Sequence, residues 1–186
     1  MDWIVALPET PDGKDALLTT TCKSTKRIVL TPGRADWTAQ QWAAAWIVDL
    51  EVRDWSYPLQ IISDRDPKFL SDFFTAMAGA LKIKMCTTAA YHPQADGQSE
   101  RTNQTVEIGL RYFVTGHPDL AWVDCLPHLQ AVLNNSRNQT TGFSPNELLM
   151  GFKTNLDSLN ALEDLPPADF ATLRGHYRSE AQDAVA

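Results

Sequence analysis

Apolar and β-branched residues gather early in the chain into short runs separated by turn formers, and a four-residue helical spacing sets in only after residue 38. Residues 2–7 form an apolar run closed by Pro8, and residues 16–21 and 27–31 are two further β-prone runs. Gly13 and the polar stretch 23–26 supply the turns between them, so the three runs predict an antiparallel meander. Thr38 is placed to cap a segment in which Trp42, Trp46 and Leu50 recur every four residues, which predicts an amphipathic helix to about residue 52. After Pro58, residues 59–63 predict a strand. Residues 71–81 return to helical spacing through Phe73, Phe74, Met77 and Leu81, and 82–87 predict another strand. Three strands, helix, strand, helix, strand is an α/β order whose crossovers imply a mixed sheet covered by helices.

A polar loop is expected over residues 89–97, followed by helices over 99–115 and 119–135, the second carrying Trp122, Leu126, Leu129 and Leu133 in helical register. Ser144 and Pro145 provide a cap and a first-turn residue for a short helix over 146–150, ended by Gly151. Beyond residue 154 the pattern weakens and Pro166-Pro167 interrupts it, so residues 156–186 are expected to be a weakly structured acidic extension.

Composition alters this picture little. With 186 residues, 44% hydrophobic and 21% charged, the chain has the material for one domain with a sizeable core. Cys22, Cys86 and Cys125 are widely spaced and form no Cys-x-x-Cys pair, which argues against a disulfide framework or a zinc site and fits a reducing compartment. No apolar run reaches the ~18 residues needed to span a bilayer. The start has neither the basic flank nor the long apolar stretch of a signal peptide, so a soluble intracellular protein with no membrane partner is expected. The net charge of −7 counts against nucleic-acid binding, whose affinity comes largely from Lys and Arg. Acids and bases balance between residues 60 and 117, however, and part of the acidic excess lies in the tail.

Three acids are candidates for chemistry. Asp64 follows the run 59–63, at the end of a strand where ligand sites form in open α/β sheets. Glu100 falls near the start of the helix 99–115, and Asp2 lies on the first run, pointing opposite to Trp3. Acids at strand ends are costly unless a cation compensates them. Mg²⁺ takes oxygen ligands, and a pair of such ions can activate a nucleophilic water or hydroxyl and stabilise the leaving oxygen. Plainer readings stand beside this one. Asp64 also suits a turn, as does Asp66 before Pro67, and Glu100 suits a capping box. Asn103, Gln104, Glu107 and Arg111 continue a polar face from Glu100 that is either part of a site or solvated surface. Residues 91–98 combine Tyr91, His92, amides and Gly97 in a loop able to stack on an unpaired nucleotide, or in an ordinary turn. His92 has no His or Cys at ligand spacing.

Residues 1–8 (MDWIVALP), 62–69 (ISDRDPKF) and 88–104 (TAAYHPQADGQSERTNQ) resemble three successive signatures of retrotransposon integrases, with the gypsy-type catalytic core the nearest pattern. Residues 134–136 and 141–151 resemble a fourth, so the likeness covers roughly residues 1–155. The resemblance implies a catalytic core over 1–155 with a ribonuclease-H-like fold, a five-stranded mixed sheet flanked by helices. It implies an active site of Asp2, Asp64 and Glu100 holding two Mg²⁺ or Mn²⁺ ions. An active-site loop at 91–98 and DNA contacts from Tyr91, His92, Gln94, Gln98, Arg101, Asn103 and Gln104 would accompany it. The implied partners are DNA, both element ends and target, and further copies of the chain in a homo-oligomer. The implied place of action is the nucleus, after passage through the cytoplasm.

Three departures accompany the resemblance. Cys22 stands where such cores usually carry an aspartate, and Asp2 stands at the very start, where fraying is expected. The family's zinc-binding N-terminal and DNA-binding or chromatin-reading C-terminal modules are not expected within these 186 residues. The leading expectation is DNA integration by metal-dependent polynucleotidyl transfer. The alternative is a truncated or domesticated inactive core that acts as a binding or assembly module. A nuclease for RNA·DNA hybrids fits the acids but not the signature at 91–104.

Overall fold

The computed structural model of the chain describes residues 1–64, 66–87 and 93–151, with backbone alone over 93–100. Strands β1 (Asp2–Ile4), β2 (Ala16–Thr21) and β3 (Ile28–Gly33) form the expected antiparallel meander in the order β1-β2-β3. β1 stops at Ile4 because Ala6 takes a φ of 60° and bulges the chain before the Leu7 N–H donates to the Asp15 carbonyl at 3.0 Å. β3 runs through Pro32, and its register explains why. Ile28 and Leu30 direct their N–H groups away from β2, so residue 32, of the same parity, needs no N–H on that outer edge.

β4 (Gln60–Ser63) and β5 (Lys84–Thr87) pair in parallel, with α2 (Asp72–Ala80) as their crossover. The hydrogen bonds thus define a three-stranded and a two-stranded sheet where one five-stranded mixed sheet is expected. Between β1 and β4, the Met1 amino group donates to the Ile62 carbonyl at 2.7 Å. The two pieces share one core, in which Leu18 and Val29 of the first pack with Ile61 of the second and with Ile83.

Strand alternation sorts the side chains to two faces. Ala16 and Leu18 join α1 (Ala39–Val52) and α2, whereas Leu17, Ile28 and Leu30 meet α3 (Pro93–Gly116) and α4 (Trp122–Asn135). β2 is therefore buried on both sides, as its unbroken apolar start requires. α1 follows its predicted bounds: Thr38 and Gln41 close a capping box, and Trp42, Ala43, Trp46 and Leu50 form the buried stripe. α5 (Pro145–Met150) has the same device in Ser144 and Glu147, and Gly151 ends it at φ 79°.

Two helix starts differ from expectation. α3 begins at Pro93, inside the segment read as a loop, because proline at a first helical position gives up an N–H that has no intrahelical partner anyway. α4 begins at Trp122 rather than 119, with the Asp124 carboxylate accepting from the Ala121 N–H at 3.1 Å. The acidic extension beyond 155, together with Tyr91 and His92, lies outside the described residues.

The outer edge of β3 is closed by side chains. Asn134 accepts from the Ile28 N–H at 2.8 Å and donates to its carbonyl at 2.9 Å, and Gln130 accepts from the Leu30 N–H at 3.0 Å. Two amides of α4 thus take the place of a fourth strand and remove an exposed pairing edge. Asn134→Ala leaves the Ile28 groups unpaired, which should cost about 1–3 kcal/mol of unfolding free energy. A urea transition midpoint equal to that of wild type would refute this role.

Candidate active site

Asp2 reaches its position through the pleat. Trp3 packs into the core with α1, so its neighbours Asp2 and Ile4 turn to the face covered by α3. There Asp2 Oδ1 accepts from the Trp3 N–H at 2.8 Å, and Oδ2 accepts from Asn103 Nδ2 at 2.8 Å. Its backbone pairs with Thr19 in the ladder, and its carbonyl lies 3.1 Å from the Thr19 hydroxyl oxygen. Ladder and side-chain bonds thus tie Asp2 to β2 and α3.

Asp64 leaves the end of β4 exposed, and its Oδ1 accepts from the Asp66 N–H at 3.1 Å. This is the local turn bond of the plainer reading, and it occupies only one of the carboxylate oxygens. Asp66 makes a similar bond to the Lys68 N–H at 2.8 Å. The loop is anchored behind β1: Phe69 stacks on Trp3 at 4.8 Å between centroids, and Lys68 Nζ donates to the Ala35 carbonyl at 2.7 Å. The residue after Asp2 and the loop after Asp64 therefore hold each other.

The half-buried Met1 amino group senses both acids. Burial lowers the pKa of the Met1 amino group below its ordinary value, and the Asp2 and Asp64 carboxylates oppose that shift. The same amino group donates to the Ile62 carbonyl at 2.7 Å, two residues before Asp64, so the segments that carry the two acids meet although more than sixty residues of chain separate them.

α3 supplies the third side. Asn103, Val106 and Leu110 are buried at spacings of three and four, while Arg101, Gln104, Glu107 and Arg111 are exposed. The polar stripe expected to run from Glu100 through Asn103 to Arg111 therefore divides. Asn103 turns inward, where Nδ2 donates to Asp2 Oδ2 and, at 3.3 Å, to the Trp3 carbonyl, while Oδ1 accepts from Thr19 Oγ1 at 2.6 Å. These commitments set it apart from the DNA contact expected of it, whereas Arg101 and Gln104 stand in solvent. Glu100 lies one helical turn before Asn103 along α3, and its side chain, like those of Gln94 and Gln98, lies outside the described residues. Thr19 is a member of this group that the sequence reading passed over. Its signal was the ladder parity that puts it beside Asp2, on the face of Leu17.

Among the described residues, no group of three or more His, Cys, Asp and Glu side chains is arranged to hold a metal ion. The two proposed acids that are described, Asp2 and Asp64, offer carboxylate oxygens, hard donors of the kind Mg²⁺ and Mn²⁺ take, so the residues fit such ions. Cys22, Cys86 and Cys125 are free thiols, and no described helix is long and apolar enough to cross a membrane.

The fold is that of a retroviral integrase catalytic core. It superposes on the HTLV-2 integrase catalytic core domain in complex with magnesium (trimeric form) with a TM-score of 0.62 and 19% identity, covering 78% of this chain and 93% of that one. On a chain of the simian T-cell lymphotropic virus intasome in complex with PP2A regulatory subunit B56 gamma, the TM-score is 0.66 at 17% identity, over 79% of this chain and 53% of that one. No family model matches. The chain is 35% identical over 159 residues to the Transposon Tf2-3 polyprotein of Schizosaccharomyces pombe (strain 972 / ATCC 24843), a match spanning 86% of this chain and 12% of the polyprotein. It is thus homologous to a part of the Tf2 retrotransposon polyproteins and shares the fold of retroviral integrase catalytic cores.

Proposed function

We propose that the chain catalyses DNA integration by metal-dependent polynucleotidyl transfer, with Asp2, Asp64 and Glu100 as its catalytic acids. The observation that carries this reading is the approach of β1 to β4, where the Met1 amino group next to Asp2 donates to the carbonyl of Ile62, two residues before Asp64, while Asn103 of α3 bonds Asp2. Two Mg²⁺ or Mn²⁺ ions held by the three acids would supply activation of the attacking oxygen and stabilisation of the leaving one. The protein's own share is orientation. Trp3 N–H and Asn103 Nδ2 fix the two oxygens of Asp2, and the Phe69–Trp3 stack fixes the loop after Asp64.

In the first step water attacks a phosphodiester near the 3′ end of the element DNA and releases the terminal nucleotides. In the second, the freed 3′ hydroxyl attacks a target phosphodiester in line, and the displaced 3′ oxygen leaves with a proton. Tyr91, His92, Gln94, Gln98, Arg101 and Gln104 are the proposed contacts to DNA, and the work is done in the nucleus by a homo-oligomer. The HTLV-2 core is described in a trimeric form, which supports assembly of this fold.

A branched DNA that mimics the joined product, incubated with the full chain and Mn²⁺, tests the chemistry through its reverse reaction. Glu100→Gln should lower the yield at least about 100-fold. Equal yields from both proteins would exclude the assigned role. The net charge of −7 favours a second reading, an inactive assembly module, and that reading is supported if wild type yields no product under these conditions.

A further inference from the structure

Asp2 is oriented through Asn103, and Asn103 is itself held by a residue to which the proposed chemistry assigns nothing. Thr19, 2% exposed, sits opposite Asp2 on β2, and its hydroxyl lies 2.6 Å from Asn103 Oδ1. Asn103 is 9% exposed, so its two amide ends must find partners inside the protein. Nδ2 serves the Asp2 carboxylate and the Trp3 carbonyl, and Oδ1 is served by Thr19. Without that hydroxyl, Oδ1 becomes a buried acceptor with no donor. The amide then gains by swinging toward water, and the same rotation withdraws Nδ2 from Asp2 Oδ2.

We propose that Thr19 is a positioning residue for metal binding at Asp2, acting through the Asn103 amide. The proposal rests on the catalytic reading of Asp2 given above. Bonds behind a metal ligand are worth 10–100-fold in affinity in known sites, and Thr19 stands one bond further out than Asn103, so the effect belongs at the low end. Valine keeps the β-branched shape suited to a central strand and removes only the hydroxyl, whereas serine keeps the donor and loses a methyl group.

The test uses the full chain with Thr19→Val, Thr19→Ser and Asp2→Asn, and reads Mg²⁺ affinity by calorimetry alongside the rate on branched DNA. Thr19→Val should weaken Mg²⁺ binding about tenfold and raise by a similar factor the Mg²⁺ concentration for half-maximal rate, while Thr19→Ser stays within about twofold of wild type. In the metal-free protein, the Asn103 side-chain amide protons should exchange with solvent faster in Thr19→Val than in Thr19→Ser. Wild-type Mg²⁺ affinity in Thr19→Val, or equal loss in both Thr19 variants, overturns the assignment. If Asp2→Asn itself binds Mg²⁺ as wild type does, the catalytic reading of Asp2 fails and the role of Thr19 fails with it. If Asp2→Asn loses binding while Thr19→Val keeps it, only the role of Thr19 fails.

Discussion

Asp64→Asn is expected to reduce strand transfer by more than about 100-fold, while Asp66→Asn costs less than about threefold. The two residues lie in the same loop and make the same kind of bond: Asp64 Oδ1 accepts from the Asp66 N–H, and Asp66 Oδ1 from the Lys68 N–H. Asparagine preserves each of these bonds, since its carbonyl oxygen accepts as a carboxylate oxygen does. If Asp64 serves only the turn, both substitutions should be nearly silent. If it is a ligand for divalent cations, loss of its charge removes far more than the 10–100-fold carried by groups behind a ligand. A factor of 100 corresponds to about 2.7 kcal/mol of transition-state stabilisation. Rates on branched DNA, with circular dichroism to show unchanged folding, decide between the two. Wild-type activity in Asp64→Asn leaves Asp64 as a turn residue and removes it from the proposed site.

That contrast reflects how the site was legible. The pleat of β1 alone sends Asp2 and Trp3 to opposite faces, and an apolar run ending at Ser63 alone puts Asp64 at an opening. Their spatial meeting depends on β1 lying beside β4, a long-range contact that no local pattern encodes. Asn103 shows the opposite failure. Its neighbours Gln104, Glu107 and Arg111 are all polar, so composition draws one wet stripe through them. Counting back from Val106 and Leu110 by three and seven, however, puts residue 103 on the buried stripe, and there a polar side chain must be paired.

The fold was read best where several local signals agreed. In α1 the four-residue spacing of Trp42, Trp46 and Leu50 coincides with a capping box, and both act within one helix. Turn chemistry misled at Pro93, where proline and glycine close together suggest a loop but the helix tolerates both. Ala6 misled in the other direction, because an alanine at positive φ leaves no trace in the sequence.

The largest effect on stability is expected at Trp46. Its indole is fully buried between β2 and α2, near Phe74, and its Nε1 donates to Thr20 Oγ1 at 3.1 Å. Trp46→Ala should cost about 3–5 kcal/mol, because it removes the apolar surface and leaves a cavity that a close-packed neighbourhood fills only in part. For a chain of this size, that is a fall in Tm of roughly 10 °C. Trp46→Phe separates packing from bonding: the ring largely remains, but the Thr20 hydroxyl loses its donor, for about 1–2 kcal/mol. Thr20→Val alone strands the indole N–H at similar cost. The double variant Trp46→Phe with Thr20→Val removes both polar partners together, and should be more stable than the sum of the single losses. Because Thr20 faces α1 while Thr19 faces α3, none of these substitutions should change Mg²⁺ affinity. Strictly additive losses in chemical denaturation would show that the indole–hydroxyl bond contributes nothing beyond the packing of the ring.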